Sequence, residues 1–223
     1  LSNVTAENFN NIAIEVLNEN KHLAEEFSFW RPRLLSFSEK YLEFEKSWRE
    51  NNTLIYGEIK GCIDFNKKDN INFILSARVD RIDKDMYGNY AIIDYKSGGQ
   101  FSANKITSGQ SPQLPLEAII LSEGEFEKVP ANENNVGYLG YWTIDNSSQS
   151  IKETAIKDSD KINQSMTDTK AGLISLIQTY QNEDTAYIAI PNLNNAPRFN
   201  DYEHLERVKE WAALGEEENG GTY

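Results

Sequence analysis

The amino-acid sequence predicts an α/β domain with a helical lead-in. Apolar residues recur at helical spacing in the first 50 residues. Residues 54–96 change to the alternation of apolar and polar residues that is typical of half-buried strands. Beyond residue 111, stretches with helical spacing are interspersed with a run rich in Tyr, Trp and Val, which favours a buried strand.

The lead-in is predicted to contain two helices. The first covers residues 8–18, because its apolar residues lie three and four positions apart, as one buried helix face requires. The second is predicted to begin at Pro32, since proline suits the first position of a helix. It ends at Asn51-Asn52, and its apolar face consists of Leu34, Phe37, Tyr41, Phe44 and Trp48.

Three antiparallel strands are predicted to follow the lead-in. They cover residues 54–65, residues 71–80 and about residues 90–96, and Gly88-Asn89 supplies a turn signal before the third. Short connections between strands favour antiparallel hairpins, so neighbouring strands in the chain are expected to pair with each other.

The second half of the chain is predicted to mix helices and strands. Ser111 and Pro112 are expected to be the N-cap and first residue of a helix that reaches about Leu121. The segments after it are a strand at 136–144, a segment at 151–156 that is a candidate to pair with it, a helix at 162–180, a short strand at 186–190, a loop at 192–200 and a final helix at 201–213.

We expect residues 1–223 to form one domain. Within it, residues 1–50 are the lead-in, residues 54–190 are the α/β core and residues 191–223 are a C-terminal loop and helix. Leu1 is not a start methionine, so we expect the chain to be a fragment of a longer protein.

Composition limits the classes of function. The formal net charge is −13, and an acidic surface repels nucleic acid, so a DNA-binding role requires a local basic channel, a bound metal or a partner that delivers the strand. The single cysteine, Cys62, excludes an intrachain disulfide and a four-cysteine iron–sulfur cluster built from this chain alone. It fits a reducing cytoplasmic location. The sequence shows no membrane-spanning apolar run and no export signal.

The candidate site lies on the predicted hairpin of the second and third strands. If its turn centres on Tyr87, Asp80 lies opposite Asp94, and directly opposed residues point to the same face of a sheet. Lys96 shares that face with Asp94, because side chains two residues apart on a strand align. The sequence therefore predicts two carboxylates and one ammonium group in one place.

This combination suits phosphodiester hydrolysis. Like charges repel, but a hard divalent cation such as Mg²⁺ would bind both aspartates, with the main-chain carbonyl of Tyr95 as a further ligand. Lys96 is then placed either to position or deprotonate the attacking water or to neutralise charge on the phosphoryl group. The alternative interpretation is a solvated strand face on which Lys96 only bridges Asp94. A glycosidase-like carboxylate pair fits poorly because it leaves the lysine unexplained.

These residues resemble the RecB-type nuclease domain of the PD-(D/E)XK superfamily. Val79-Asp80 corresponds to the Pro-Asp element, Asp94-Tyr95-Lys96 to the Asp-x-Lys element and Gln113-Leu114-Pro115-Leu116 to the Gln-bearing motif of the next helix. In detail the chain is similar to the nuclease domain at the C-terminus of the AddB subunit of AddAB-type helicase–nucleases.

The resemblance implies a restriction-endonuclease-like core, which is a central mixed sheet flanked by helices. It implies a DNA exonuclease domain that uses Mg²⁺, with Mn²⁺ as a substitute. Its setting would be a cytoplasmic helicase–nuclease complex that processes double-strand breaks for recombinational repair, with DNA and a helicase–nuclease subunit as partners. By the motif match, Asp80 and Asp94 are metal ligands, Lys96 is the catalytic lysine and Gln113 organises the site.

Two departures from the family pattern leave alternatives open. Glu117 stands where the family often has a tyrosine, and it is either a surface residue or a site residue. No histidine lies in the setting of the family's upstream helical ligand, so one expectation is that this ligand precedes Leu1. The alternative function is a nuclease-like scaffold or DNA-channel module that does not cut. The candidate phosphate contacts are Arg78, Arg81 and Lys105.

Overall fold

The computed structural model describes residues 5–19, 24–66, 71–129, 135–145, 150–188 and 203–206. The helices are α1 (Ala6–Glu19), α2 (Ala24–Arg49), α3 (Ala103–Thr107), α4 (Gln113–Ser122), α5 (Ser159–Gln181) and α6 (Glu203–Glu206). The strands are β1 (Asn52–Asp64), β2 (Ile74–Asp85), β3 (Tyr90–Lys96), β4 (Val136–Asp145) and β5 (Ser150–Ile156). The chain divides into two compact units, residues 1–177 and residues 178–223.

The strands form one five-stranded sheet in the order β1-β2-β3-β4-β5. β3 and β4 run parallel, whereas the other neighbouring pairs run antiparallel. Helices cover parts of both faces of this mixed sheet, so the predicted fold class is confirmed. The prediction that residues 1–223 form one domain stays a prediction.

The parallel pairing of β3 and β4 requires a crossover connection, and α3 and α4 lie in that connection. Leu114, Ala118 and Leu121 of α4 are fully buried. They belong to the main core cluster together with Ile92 of β3 and Leu139 of β4. This packing fixes α4 against the sheet face onto which β3 projects Ile92.

α2 packs on the opposite face of the sheet through aromatic side chains. The rings of Phe44 and Trp48 meet the ring of Trp142 edge-on, with centroids 4.7 and 5.1 Å away. Ala91 and Ile93 of β3 belong to the same cluster. Edge-to-face contacts of this kind are favourable beyond the apolar area that they bury. β3 therefore carries alternate side chains into two separate cores.

The two predicted lead-in helices are present, but the predicted start of the second is wrong. α1 contains the whole of residues 8–18. α2 begins at Ala24, and Pro32 lies inside it. Proline removes one intrahelical hydrogen bond and usually interrupts a helix. A proline at a first position and a proline inside a helix look the same in the sequence, so the upstream turns were missed.

All five strands of the sheet overlap segments that the sequence predicts as strands, but β2 begins at Ile74, three residues after its predicted start. β2 continues to Asp85, five residues beyond its predicted end at Asp80. This extension includes Arg81 and Asp83, which are charged and nevertheless buried. Charged residues do not indicate a buried strand, which explains the early end of the prediction. The segments at 136–144 and 151–156 are confirmed as parts of β4 and β5, and they pair.

Three boundaries in the second half differ from the prediction. α4 begins at Gln113, and Pro112 occupies the N-cap with helical angles and no side-chain cap, so Ser111 is not the N-cap. α5 contains the predicted helix at 162–180. Residues 186–188 form no strand, and Tyr187 instead stacks on Tyr180 with centroids 4.9 Å apart. The loop at 192–200 and most of the final helix lie outside the described residues, and α6 lies within that helix.

Among the described helices, none has the length and apolar character that a membrane span requires.

Gly61 of β1 packs closely against the side chains of Ile120 in α4 and Phe126. A Cβ atom at this position would lie 2.5 Å from Phe126 Cδ1 and 2.8 Å from Ile120 Cγ2. We expect Gly61→Ala to lower the free energy of unfolding by about 1–3 kcal/mol, because overpacking shifts neighbouring side chains. Urea denaturation measures this change. The control is Gly172→Ala in α5, where nothing lies within 4 Å of the added Cβ, and stability is expected to rise by roughly 0.5–1 kcal/mol. Similar effects of both substitutions would contradict the packing argument.

Candidate active site

The register of β2 and β3 brings Asp80 beside Asp94. Arg81 pairs with Ile93 and Ile82 pairs with Ile92, which is the register predicted for a turn centred on Tyr87. One residue further along, Asp80 faces Asp94. The backbone N–H of Tyr95 donates to Asp80 Oδ2 at 2.9 Å, which ties the Asp80 carboxylate to the end of β3.

Asp94 is the buried centre of the site. It is 4% exposed. Lys96 Nζ lies 2.6 Å from Asp94 Oδ2, and Gln113 Nε2 donates to Asp94 Oδ1 at 2.5 Å. Burial raises the pKa of Asp94, and Lys96 opposes the rise while the charge of Asp80 adds to it. Even with Lys96 in contact, the surroundings therefore disfavour the charged form of Asp94.

Gln113 links the acidic and basic groups of the site. It is the first residue of α4, and its side chain reaches back to β3. Its Oε1 accepts from Lys96 Nζ at 3.1 Å, while its Nε2 donates to Asp94 and to Glu117 Oε1, the latter at 3.1 Å. The amide oxygen thus meets an ammonium group and the amide nitrogen meets two carboxyl groups. Each end of the amide has partners of the matching kind.

Glu117 belongs to the site, although the sequence left its role open. It lies one turn after Gln113 on α4 and is 3% exposed. Burial raises the pKa of Glu117 to about 7, and the charges of Asp94 and Asp80 add to the rise. Hydrogen bonding by Gln113 opposes it. The signal in the sequence is the apolar character of α4 all around its axis, which predicts that a lone acid in it is buried.

Two tyrosines border the site from different sides. Tyr141 of β4 is buried, and Lys96 Nζ lies 5.5 Å from the centroid of its ring. Burial raises the pKa of Tyr141 to about 12, and the charges of Asp94 and Glu117 contribute. The side chain of Tyr95 points to the opposite face, where its hydroxyl accepts from Arg81 Nη1 at 2.8 Å. The proposed role of the Tyr95 carbonyl stays a prediction.

The donor atoms of the site suit a hard divalent cation. Carboxylate and carbonyl oxygens are the ligands that Mg²⁺ prefers. Oε2 of Glu117 is buried and accepts no hydrogen bond. Within the described ranges, no three His, Cys, Asp or Glu side chains form a closed metal-binding group. An ion held by Asp80 and Asp94 would keep several of its waters, as is usual for Mg²⁺.

The three candidate DNA contacts have different environments. Arg78 is exposed on β2, and its closest acidic partner is Glu58 at 4.0 Å. Lys105 is exposed on α3, where its Nζ donates to the carbonyl of Gln100 at 3.4 Å. Both remain candidates for phosphate contacts. Arg81, in contrast, is 4% exposed, so the prediction that it contacts DNA is wrong.

Arg81 is the centre of a buried ion cluster under α2. Its guanidinium donates twice to Glu45, at 2.8 Å each, and twice to Asp83, at 2.8 and 2.6 Å. With the bond to Tyr95, all five guanidinium donors are used. Trp48 Nε1 also donates to Asp83 at 2.6 Å. Burial alone raises the pKa of Glu45, but the arginine hydrogen bonds outweigh it and lower the pKa. The cluster joins α2 to β2 and β3.

Glu117 also makes the stability of the protein depend on pH. Its folded-state pKa of about 7 lies above the ordinary value of 4.5, so folding favours the protonated form. The stabilising contribution of this group is therefore expected to be fully present below pH 4.5. It is lost as the pH rises from 4.5 through 7, which lowers the free energy of unfolding by about 3 kcal/mol. Glu117→Gln should lose less stability over that range. Urea denaturation at pH 5 and pH 8 with EDTA measures this, and equal slopes for both proteins would contradict it.

The sequence of this chain is similar to known proteins over most of its length. A sequence profile of the PD-(D/E)XK nuclease superfamily matches residues 4–198. An uncharacterised protein of Rickettsia conorii is 29% identical in an alignment 201 residues long that covers 80% of this chain and 23% of the relative. An uncharacterised protein of Rickettsia felis is 30% identical in an alignment 209 residues long that covers 80% of this chain and 24% of the relative. The chain spans about a quarter of the length of these curated relatives.

Proposed function

Because this chain belongs to the PD-(D/E)XK nuclease superfamily, we propose that it is a Mg²⁺-dependent DNA nuclease domain that hydrolyses phosphodiester bonds. One observation carries the proposal most strongly. Asp94, Lys96 and Gln113 form a single hydrogen-bonded and ionic network at the end of β3, with Asp80 held beside it through Tyr95. A merely solvated strand face does not bury its aspartate to 4% exposure.

Each residue of the network has a proposed role. Asp80 and Asp94 hold the divalent cation, Mg²⁺ or Mn²⁺, and the Tyr95 carbonyl is a further ligand. When bound, such an ion supplies Lewis acidity and activates water for attack. Lys96, whose side chain is 28% exposed, offers its ammonium group to the charge that develops on the phosphoryl oxygens. Gln113 fixes the positions of Lys96 and Asp94. We propose in-line attack by water without a covalent enzyme intermediate.

We propose further that the domain works within a larger helicase–nuclease. The chain corresponds to about a quarter of its Rickettsia relatives, which fits a domain of a longer protein. Its net charge of −13 disfavours independent capture of DNA, so a partner subunit that delivers the strand is part of the proposal. The proposed role is exonucleolytic processing of double-strand breaks for recombinational repair in the cytoplasm, similar to the AddB subunit of AddAB-type complexes.

Cleavage of labelled DNA tests the catalytic part of this proposal. Linear and circular substrates are incubated with the protein and Mg²⁺, and an exonuclease is expected to degrade only the linear form. Asp80→Ala should abolish cleavage, because the carboxylate opposite Asp94 is lost. Asp168→Ala is the matched control, since Asp168 is an exposed acid on α5. Undiminished cleavage by Asp80→Ala would contradict the assigned site.

The second candidate is a non-cutting scaffold or DNA-channel module. The acidic net charge favours it, because a free-standing nuclease needs to attract its polyanionic substrate. It predicts no cleavage by the wild-type protein, even when the helicase–nuclease partner is present. Cleavage that Mg²⁺ supports and EDTA stops would exclude this candidate.

A further inference from the structure

Glu117 brings a third carboxyl group to the site, and one of its oxygens is unused. Oε1 accepts from Gln113 Nε2, but Oε2 has no hydrogen-bond partner although it is buried. A buried acceptor without a partner costs about 1–3 kcal/mol, and more when it is charged. We expect such an oxygen, beside a candidate reaction centre, to gain a hydrogen-bond donor when a ligand binds there.

The balance of charge indicates the nature of that partner. Asp80, Asp94 and Glu117 influence one another electrostatically, and Lys96 is the cation that acts on both Asp94 and Glu117. Asp94 and Glu117 thus share the charge of Lys96. Apolar residues of the core surround Glu117 on α4, so bulk water does not screen its charge. A positively charged group, or a water bound to one, is the partner that these acceptor oxygens favour.

The geometry favours an indirect contact between Glu117 and the ion. The Gln113 amide stands between Asp94 and Glu117, and the described carboxylates do not close around one point. Mg²⁺ retains several of its waters and binds through one or two carboxylates. Carboxyl groups beyond the direct ligands orient these sites and contribute to metal affinity.

We propose that Glu117 is a further residue of the cation site, where its free oxygen accepts a hydrogen bond from the water shell of a hydrated divalent cation held by Asp80 and Asp94. This inference rests on the proposed function, because it assumes the cation. It adds a residue to which the family's motifs assign no such role.

Binding of Mn²⁺ to the full chain without DNA tests the inference. Isothermal titration calorimetry compares the wild type with Glu117→Gln, which keeps the shape of the side chain and removes its charge. We expect about tenfold weaker binding. Glu117→Asp keeps the charge and should retain more affinity than Glu117→Gln. Asp94→Asn should lose binding, and Glu43→Gln, at an exposed acid of α2, should bind as the wild type does.

The outcomes separate this inference from the proposed function. Unchanged Mn²⁺ affinity in Glu117→Gln, together with loss in Asp94→Asn, would overturn the role of Glu117 and leave the proposed function standing. Absence of saturable binding in the wild type would overturn both. Weaker binding in Glu117→Gln, with an unfolding temperature in EDTA no lower than that of the wild type, would support the inference, because misfolding is then excluded.

Discussion

Lys96→Ala is expected to reduce phosphodiester hydrolysis by about a thousandfold at saturating Mg²⁺ and DNA, since charge stabilisation in a water-poor site carries effects of that size. Lys96 Nζ contacts both Asp94 Oδ2 and Gln113 Oε1. Its removal deletes the ammonium group that is proposed to face the reacting phosphate. It also leaves buried Asp94 without the charge that lowers its pKa, so the carboxylate is expected to bind the proposed cation more weakly.

The comparison variants for this prediction separate charge from shape. Lys96→Met keeps the unbranched stem and should lose as much activity as Lys96→Ala. Lys161→Ala removes an exposed lysine of α5 and should leave the turnover rate unchanged. Turnover is measured under single-turnover conditions to exclude effects on product release. Activity of Lys96→Met within about tenfold of the wild type would show that the ammonium group is not required.

Arg81→Ala is expected to lower the free energy of unfolding by about 3–5 kcal/mol, because it removes the ion-pair partner of buried Asp83 and leaves buried Glu45 with Arg49 in place of two arginines. Glu45 and Asp83 each receive two hydrogen bonds from Arg81, and both are buried. The guanidinium also stacks over the ring of Trp142, 4.8 Å from its centroid. Charge, hydrogen bonds and packing are therefore lost together.

Arg78→Ala is the matched control for the buried arginine. Both arginines belong to β2, but Arg78 is exposed and its ion pair with Glu58 spans 4.0 Å. Its replacement is expected to change stability by at most about 0.5 kcal/mol. Urea denaturation of the variants, with the slope checked for two-state behaviour, measures both effects. A loss below about 1 kcal/mol in Arg81→Ala would mean that the cluster contributes little beyond its desolvation cost.

The core of the candidate site could be predicted because a short hairpin leaves little freedom. A turn of known centre fixes which residues of β2 and β3 face each other, and the two-residue period of strands fixes their face. Asp80, Asp94 and Lys96 follow from these two rules. Gln113 is different, since no local rule relates the start of α4 to the end of β3, and only the family resemblance indicated it.

The incorrect prediction for Arg81 shows where sequence patterns become ambiguous. Strand alternation already separates Arg78, on the face of Asp80, from Arg81, on the opposite face. The sequence does not reveal that α2 covers that opposite face with Glu45, because the pairing spans 36 residues. Long-range burial of charge has no local signature. For Glu117 the apolar character of α4 is a local signal of burial, but its closeness to Asp94 depends on how α4 packs against the sheet.

The position of Tyr95 has a consequence for the working of the molecule. Its backbone N–H holds the Asp80 carboxylate on one side of the sheet, while its hydroxyl is bonded to Arg81 on the other. Tyr95 thus connects groups on the two faces of the sheet. The positions of Asp80 and Asp94 on one face therefore depend on the ion cluster of Arg81 on the other face. We expect a substitution that weakens this cluster to misalign the proposed catalytic groups although it contacts none of them.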